Sequence, residues 1–117
     1  MNELAAIVET AEDAILSKDL DGTILTWNAS AERIYGYPAA EAIGSPISML
    51  LPADRPGEVT QIIDRLRAGE HVEHFETKRM RKDGGVIDVS LTVSPLLDAH
   101  GSLVGAATIA QIGRAHV

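Results

Sequence analysis

The sequence predicts an α+β domain in which short helices cover one face of a five-stranded antiparallel sheet. A hairpin signal at 19–22 places strands near the start of the chain, and two more turn signals, at 82–85 and 98–101, place strands near its end. The helical patterns are grouped between these strands and are interrupted by Gly and Pro. Segregation of helices and strands along the chain is typical of α+β proteins.

The composition fits one soluble domain without a nucleic-acid surface. The chain has 117 residues, 45% of them hydrophobic, and a formal net charge of -7. This length allows one modest core, and the negative net charge argues against the basic face that nucleic acids require. The absence of cysteine excludes disulfides and thiol chemistry. No apolar run approaches the ~20 residues of a membrane span, and the first residues lack a secretion signal, so we expect a cytoplasmic protein.

Residues 1–12 predict an amphipathic helix that flanks the domain. Leu4, Ile7, Val8 and Ala11 recur at helical spacing and form an apolar stripe. A stripe at a chain end packs on the domain or on a second copy of it. We therefore predict that these four residues form a homodimer interface.

The first half of the domain predicts a hairpin followed by short helices. Strands are expected at 14–18 and 23–27. Asn28 is placed to cap a helix over 29–35, because its side chain can accept from the free amides of the first turn. Pro38 is expected at the first position of a second short helix, and a third helical turn follows before residue 52.

The second half predicts one longer helix and three strands. Apolar residues recur with a period of 3.6 over 58–68. Strands are expected at 71–81, at 87–94, where apolar and polar residues alternate, and at 103–112. The domain thus spans about 13–112, and the last residues, 113–117, have no periodicity and are expected to be a linker or tail.

The chain from Ile7 to Ile112 resembles the PAS (Per-Arnt-Sim) sensor domain family. The motifs that carry the resemblance are Asp19-Leu20-Asp21-Gly22-Thr23-Ile24, Trp27-Asn28, Ala31-Glu32, Tyr35-Gly36-Tyr37, Glu41-Ala42-Ile43-Gly44, Arg81-Lys82-Asp83-Gly84, Val93-Ser94-Pro95 and Asp98-Ala99-His100-Gly101. Each motif alone is weak, but their order and spacing over a whole domain are specific. The chain departs from the family pattern at the end of the last strand: such domains often end with Asp-Ile-Thr, and here the sequence is Gln111-Ile112-Gly113.

The resemblance implies a sensory or interaction module and not an enzyme. Such domains usually lie within larger signalling proteins, next to kinase, phosphatase, cyclase or DNA-binding modules. They dimerise through the amino-terminal helix and the outer face of the sheet. Some hold a ligand between the sheet and the short helices.

Residue chemistry disfavours the cofactors found in similar domains. Light-driven flavin adducts need a thiol, which the chain lacks. In similar domains an Asn holds the flavin edge, and here that position matches Arg79, which cannot accept a hydrogen bond. Haem needs an axial ligand, often His, on the long helix, and 58–68 has none. His71 and His74 are three apart on a predicted strand and so face opposite sides, and His100 lies in a turn, so we predict no metal site.

We predict instead an apolar pocket between the sheet and the helices. Small residues on the last strand leave room, and apolar cavities take apolar guests. The predicted lining residues are Ile47, Leu50, Ile62, Leu66, Phe75, Thr77, Arg79, Val89, Leu91, Ala106, Thr108 and Ala110. If Arg79 points inward it can pair with a ligand carboxylate, so a fatty acid or similar amphipathic carboxylate is the expected ligand. Alternatively, the side chains close up and Arg79 pairs with a carboxylate of the protein.

Two other classes of function stay open. A ligand-free homodimerisation module would need only the terminal stripe and the sheet face. A small-molecule enzyme on this fold would need a buried, perturbed carboxylate or His in the pocket, and the sequence nominates none. It also contains no phosphate loop, and Gly44-Ser45-Pro46 is not a nucleophile elbow.

Overall fold

The predicted five-stranded antiparallel sheet is confirmed in a computed structural model that describes residues 12–112. Its strands are β1 (Ala14–Asp19), β2 (Ile24–Trp27), β3 (Val72–Met80), β4 (Val86–Leu97) and β5 (Leu103–Ile112). They lie in the order β2-β1-β5-β4-β3. The pairing of β1 with β5 therefore joins the early hairpin to the late meander and places the first and last strands side by side.

Four short helical segments pack on the inner face of this sheet. They are α1 (Ala29–Tyr35), α2 (Ala39–Ala42), a single 3-10 turn η1 (Ile47–Leu50) and α3 (Glu58–Arg67). Pro38 lies at the N-cap of α2 and not at its first position, because its ψ of 152° is extended. Within residues 12–112, no helix combines the length and the apolarity that crossing a membrane requires.

Two predicted segments lie outside the described residues. One is residues 1–11 of the helix predicted over 1–12, with the interface residues Leu4, Ile7, Val8 and Ala11. The other is the tail over 113–117.

Asn28 joins the first strand to the first helix. Its Oδ1 accepts hydrogen bonds from the amides of Ala31 (2.9 Å) and Ile15 (3.0 Å), and its Nδ2 donates to the carbonyl of Asp13 (3.1 Å). The predicted N-cap is thus confirmed. The same side chain also fixes where β1 enters the sheet, because the amide of Ile15 depends on it.

A β-bulge near the start of β3 breaks the alternation that the sequence predicts. The register with β4 shifts between Val72 and Phe75, and His74 has a φ of 51°. The extra residue turns the strand so that Val72 and Thr77, an odd number of residues apart, are both buried. The expectation that His71 and His74 face opposite sides of a strand is therefore wrong: His71 precedes β3, and both side chains are exposed.

Gly105 allows β1 and β5 to lie in close contact. A Cβ added to Gly105 would stand 2.3 Å from the carbonyl oxygen of Lys18, closer than real Cβ contacts come. Register pairs Lys18 with Ala106 and Asp19 with Gly105. Only a residue without a side chain fits here, so Gly105 allows the backbones of the two strands to pair at this position.

Candidate functional site

An internal cavity of about 20 Å³ lies between the sheet and the helices. It is lined by Leu16 and Lys18 of β1, Tyr35 of α1, Ile47 and Leu50 of η1, Val59 and Ile62 of α3, Arg79 of β3, Leu91 and Val93 of β4, and Thr108 of β5. This space holds about one water molecule, and a larger guest requires the helical layer to move. The cavity lies where the sequence predicts a ligand pocket.

The structure places half of the twelve predicted lining residues around this cavity. These are Ile47, Leu50, Ile62, Arg79, Leu91 and Thr108. Leu66, Val89, Ala106 and Ala110 are buried in the surrounding core, Thr77 is buried in a polar cluster, and Phe75 is half-buried against the core. Sequence reasoning missed Leu16, Lys18, Tyr35, Val59 and Val93, which complete the wall.

Arg79 points inward and pairs with a carboxylate of the protein. Its Nη1 lies 2.6 Å from Oε1 of Glu58, and both side chains are almost fully buried. Oε1 accepts no well-aligned hydrogen bond, so the attraction is mainly Coulombic. The same Nη1 donates to the carbonyl of Lys78 (2.8 Å). The second arrangement considered for Arg79, a partner within the chain, is the one that the structure contains.

Glu58 is the centre of a polar cluster that connects α3 to β3. Its Oε2 accepts a hydrogen bond from Oγ1 of Thr77 (2.6 Å) and lies 3.6 Å from Nη1 of Arg55. Nη1 of Arg55 also donates to Thr77 (3.2 Å). The sequence nominated no buried carboxylate, yet Glu58 lies four residues before the buried Ile62 and so on the inner stripe of the helix. Guanidinium and hydroxyl groups thus hold this carboxylate between α3 and β3.

Lys18 is the other buried charge, and it has no such partner. Its side chain is 4% exposed, and no carboxylate or hydrogen-bond acceptor within residues 12–112 pairs with it. Burial, and to a smaller extent the nearby Arg79 guanidinium, lowers the pKa of Lys18 from 10.5 to about 8. Period-two spacing with Ala14 and Leu16 is the sequence signal that could have identified Lys18 as inward-facing.

Two more polar groups face this region. Burial raises the pKa of Tyr35 to about 12, against an opposing effect of Arg79. Oγ1 of Thr108 is buried without a hydrogen-bond partner. Lys18 and Thr108 can thus both donate hydrogen bonds at the cavity wall, and no acceptor in the described part of the chain receives them.

A groove of about 320 Å³ lies next to this cavity and shares two lining residues with it. Its walls are the β1–β2 turn, η1 and α3, and Ile47 and Val59 line both the groove and the cavity. These two side chains therefore separate the groove from the interior. Within residues 12–112, no three His, Cys, Asp or Glu side chains are grouped closely enough to hold a metal ion.

Comparison with known proteins gives a consistent family match. A family model described as the PAS fold matches residues 2–111. The chain is 36% identical over 110 residues to the signal transduction histidine-protein kinase AtoS of Escherichia coli (strain K12), and 29% identical over 114 residues to phytochrome C of Oryza sativa subsp. indica. The two matches include 93% and 94% of this chain, but only 17% and 10% of the length of the two relatives.

A solved structure agrees with the fold. The PAS domain of the protein from Colwellia psychrerythraea superposes with a TM-score of 0.87 at 28% identity, over 94% of this chain and 93% of that one. The match covers nearly all of both chains, so the whole described domain has this architecture.

Proposed function

Because the chain belongs to the PAS family, we propose that it is the cytoplasmic sensory module of a larger signal-transduction protein, and that it binds a small amphipathic carboxylate. The site is the cavity between the sheet and the helices. Ligand binding there would displace the helical layer and so regulate an attached effector domain. The lack of cysteine suits a reducing compartment.

One observation carries the ligand proposal. The cavity wall contains the buried side chain of Lys18, for which residues 12–112 supply no ion pair or hydrogen bond, and the buried hydroxyl of Thr108, which has no hydrogen-bond partner there. A core built only for stability pairs or excludes such groups, because leaving them unsatisfied costs free energy. A guest that supplies an acceptor removes this cost, and the apolar remainder of the wall suits the rest of an amphipathic molecule.

The relatives support a kinase or similar enzyme as the effector. The matched part is a small fraction of a signal transduction histidine-protein kinase, so most of that protein lies outside the PAS region. The domain itself would sense and not catalyse, since its buried carboxylate, Glu58, is held by Arg79 and Thr77.

Native mass spectrometry tests the ligand proposal. The protein is purified without detergent and sprayed under non-denaturing conditions, and bound small molecules are then extracted with organic solvent and identified. We expect an additional mass from a carboxylate with an apolar chain. A protein that carries no small molecule, and whose melting temperature responds to no carboxylate, would contradict the proposal. A visible spectrum serves as a control, because a flavin or haem band would identify a different class of ligand.

A ligand-free homodimerisation module is the second candidate, and the outer face of the sheet favours it. Ile15, Ile109 and Thr92 lie in register across β1, β5 and β4, and Ile109 is 39% exposed. The next row, Ser17, Ala107 and Ser94, is also uncharged. Light scattering after size exclusion distinguishes the candidates: we expect a dimer that Ile109→Lys weakens, and a monomer at high concentration would contradict dimerisation.

A further inference from the structure

Lys18 is a buried basic residue that has no carboxylate partner in the described part of the chain. Lys18 enters the interior from β1 and is 4% exposed, yet none of the carboxylates within residues 12–112 pairs with it. Removing an ammonium from water is expensive unless an opposite charge or several acceptors replace the water. The cavity into which Lys18 projects holds only about 20 Å³, so at most one water molecule fits beside it. Such a small amount of water leaves most of this cost uncompensated.

Thr108 adds a second donor on the neighbouring strand. Register pairs Leu16 with Thr108 and Lys18 with Ala106. Lys18 and Thr108 are therefore diagonal neighbours on the same face of adjacent strands, within reach of a long side chain. Oγ1 of Thr108 is buried and has no hydrogen-bond partner. Both groups can donate to one acceptor placed between them.

Arg79, the other buried cation, already has a carboxylate partner within the domain. Its guanidinium already lies 2.6 Å from Glu58 and donates to the carbonyl of Lys78. One carboxylate thus compensates one of the two buried cations. The cavity keeps one positive charge without compensation, and that charge belongs to Lys18.

The surroundings limit the rest of the ligand. Ile47 and Val59 separate the cavity from the groove of about 320 Å³. The groove is also lined by the apolar side chains of Leu20 and Ile63 and by the charged side chains of Asp64 and Arg67. An unbranched apolar chain that passes between Ile47 and Val59 would therefore reach a partly apolar surface.

We propose that Lys18 and Thr108 bind the carboxylate of an amphipathic monocarboxylate, whose apolar chain passes between Ile47 and Val59 into the groove. This inference rests on the proposed ligand-binding function and names the part of the site that recognises charge. It moves the carboxylate-binding role from Arg79, where the sequence placed it, to a residue on the opposite half of the sheet. In this arrangement Glu58 does not bind the ligand but forms the ion pair with Arg79.

Calorimetric titration of the purified protein with octanoate tests the inference. We expect octanoate to bind, and octanol and octylamine to bind at least 10-fold more weakly, because neither supplies an anion. Lys18→Met should weaken octanoate binding about 10- to 100-fold, the range of a lost charge-assisted hydrogen bond. Thr108→Val should weaken it about 10-fold. Lys78→Met is the matched control, because Lys78 carries the same charge on the exposed outer face, and it should bind as the wild type does.

A second measurement needs no variant that alters the interior. Nuclear magnetic resonance of lysine side chains labelled at Cε follows the titration of Lys18 in the wild-type protein. The titratable side chains that face it in the cavity are Tyr35 of α1 and Arg79 of β3. Bound octanoate should raise the pKa of Lys18, because an anion favours its charged form.

The outcomes separate the inference from the function on which it rests. If Lys18→Met binds octanoate as tightly as the wild type, or if octanol binds equally well, the assignment to Lys18 is wrong while a ligand pocket stands. If octanoate does not bind and native mass spectrometry finds another class of small molecule, the carboxylate assignment is wrong and the sensory function stands. If no small molecule binds at all, both fail.

Discussion

Gly105 has no Cβ, and this allows strands β1 and β5 to pair. The carbonyl of Lys18 lies where a Cβ would be placed. That oxygen belongs to the backbone of the neighbouring strand, so it cannot move aside as a side chain would. The pairing of β1 with β5 therefore depends on this residue.

Replacing Gly105 with Ala should strongly destabilise the domain. The added Cβ would stand 2.3 Å from the oxygen of Lys18, and relieving this overlap requires β1 and β5 to separate. We expect a loss of about 2–4 kcal/mol in the free energy of unfolding, at or above the usual range for overpacking, as measured by urea denaturation. Gly57→Ala is the matched control, because open space surrounds Gly57, and it should cost no more than about 1 kcal/mol. Equal losses for both variants would contradict the steric argument.

Lys18 makes the stability of the domain depend on pH in a predictable direction. Its pKa is lowered from 10.5 to about 8 on folding, so between these values the unfolded chain holds a proton that the folded chain has lost. Stability contributed by this group therefore rises with pH across that window and is lowest below pH 8. A shift of this size corresponds to about 3 kcal/mol.

Lys18→Met should accordingly stabilise the ligand-free domain at pH 7, by up to about 3 kcal/mol. The advantage over the wild type should shrink as the pH rises from 8 towards 10.5. Tyr35 titrates above this range in both proteins, so its effect cancels in the difference. Chemical denaturation at a series of pH values measures the difference, with Lys78→Met as the exposed control. An advantage that does not change with pH would show that Lys18 is not desolvated.

At the scale of elements, the cluster of Glu58, Thr77 and Arg79 fastens α3 to the edge strand β3. The helix has few other polar contacts with the sheet, and its remaining inner residues are apolar, with Ile62, Ile63 and Leu66 buried. A buried ion pair stabilises little in total, but removing one partner leaves a buried charge. The position of α3 over the cavity thus depends on keeping both partners.

A double-mutant cycle on this pair tests the dependence. Arg79→Met should cost about 3–5 kcal/mol in the free energy of unfolding, because Glu58 then stays buried with only Thr77 and the part-exposed Arg55. Glu58→Met should cost a similar amount. The double variant should recover much of the loss, since neither charge is then left alone. Additive losses would show that the two side chains do not act as a pair.

The helices and strands were predictable because residues close in sequence determine where each of them begins and ends. Asn28 specifies a cap, and the hairpin turns depend on Gly and Asp at fixed positions, all of which act over a few residues. The bulge at His74 was not predictable, since no Gly or Pro marks it. The sequence placed a pocket between sheet and helices, and the structure has a cavity of about 20 Å³ there. Its charges were not predictable, because the burial of Lys18 and the pairing of Arg79 with Glu58 depend on strands and helices far apart in sequence.

At the scale of the whole molecule, the sheet order determines where the chain enters and leaves. Ala14, at the start of β1, is paired with Ala110, near the end of β5. Residues directly opposite each other in an antiparallel pair lie about 5 Å apart. A domain with this geometry fits into a longer polypeptide without separating the segments on either side of it, which agrees with the small fraction of AtoS that it covers.

This arrangement has a mechanical consequence. A tensile force applied through Ala14 and Ala110 loads the hydrogen bonds between β1 and β5 one after another, so the strands should unzip at low force. Force applied instead through Ala14 and Leu103, at the opposite end of β5, loads the same bonds together in shear. Optical tweezers with handles at these two pairs of sites should record a markedly lower rupture force for the first pair. Tension that reaches the domain through the start of β1 and the end of β5 would therefore open the sheet at the β1–β5 pair.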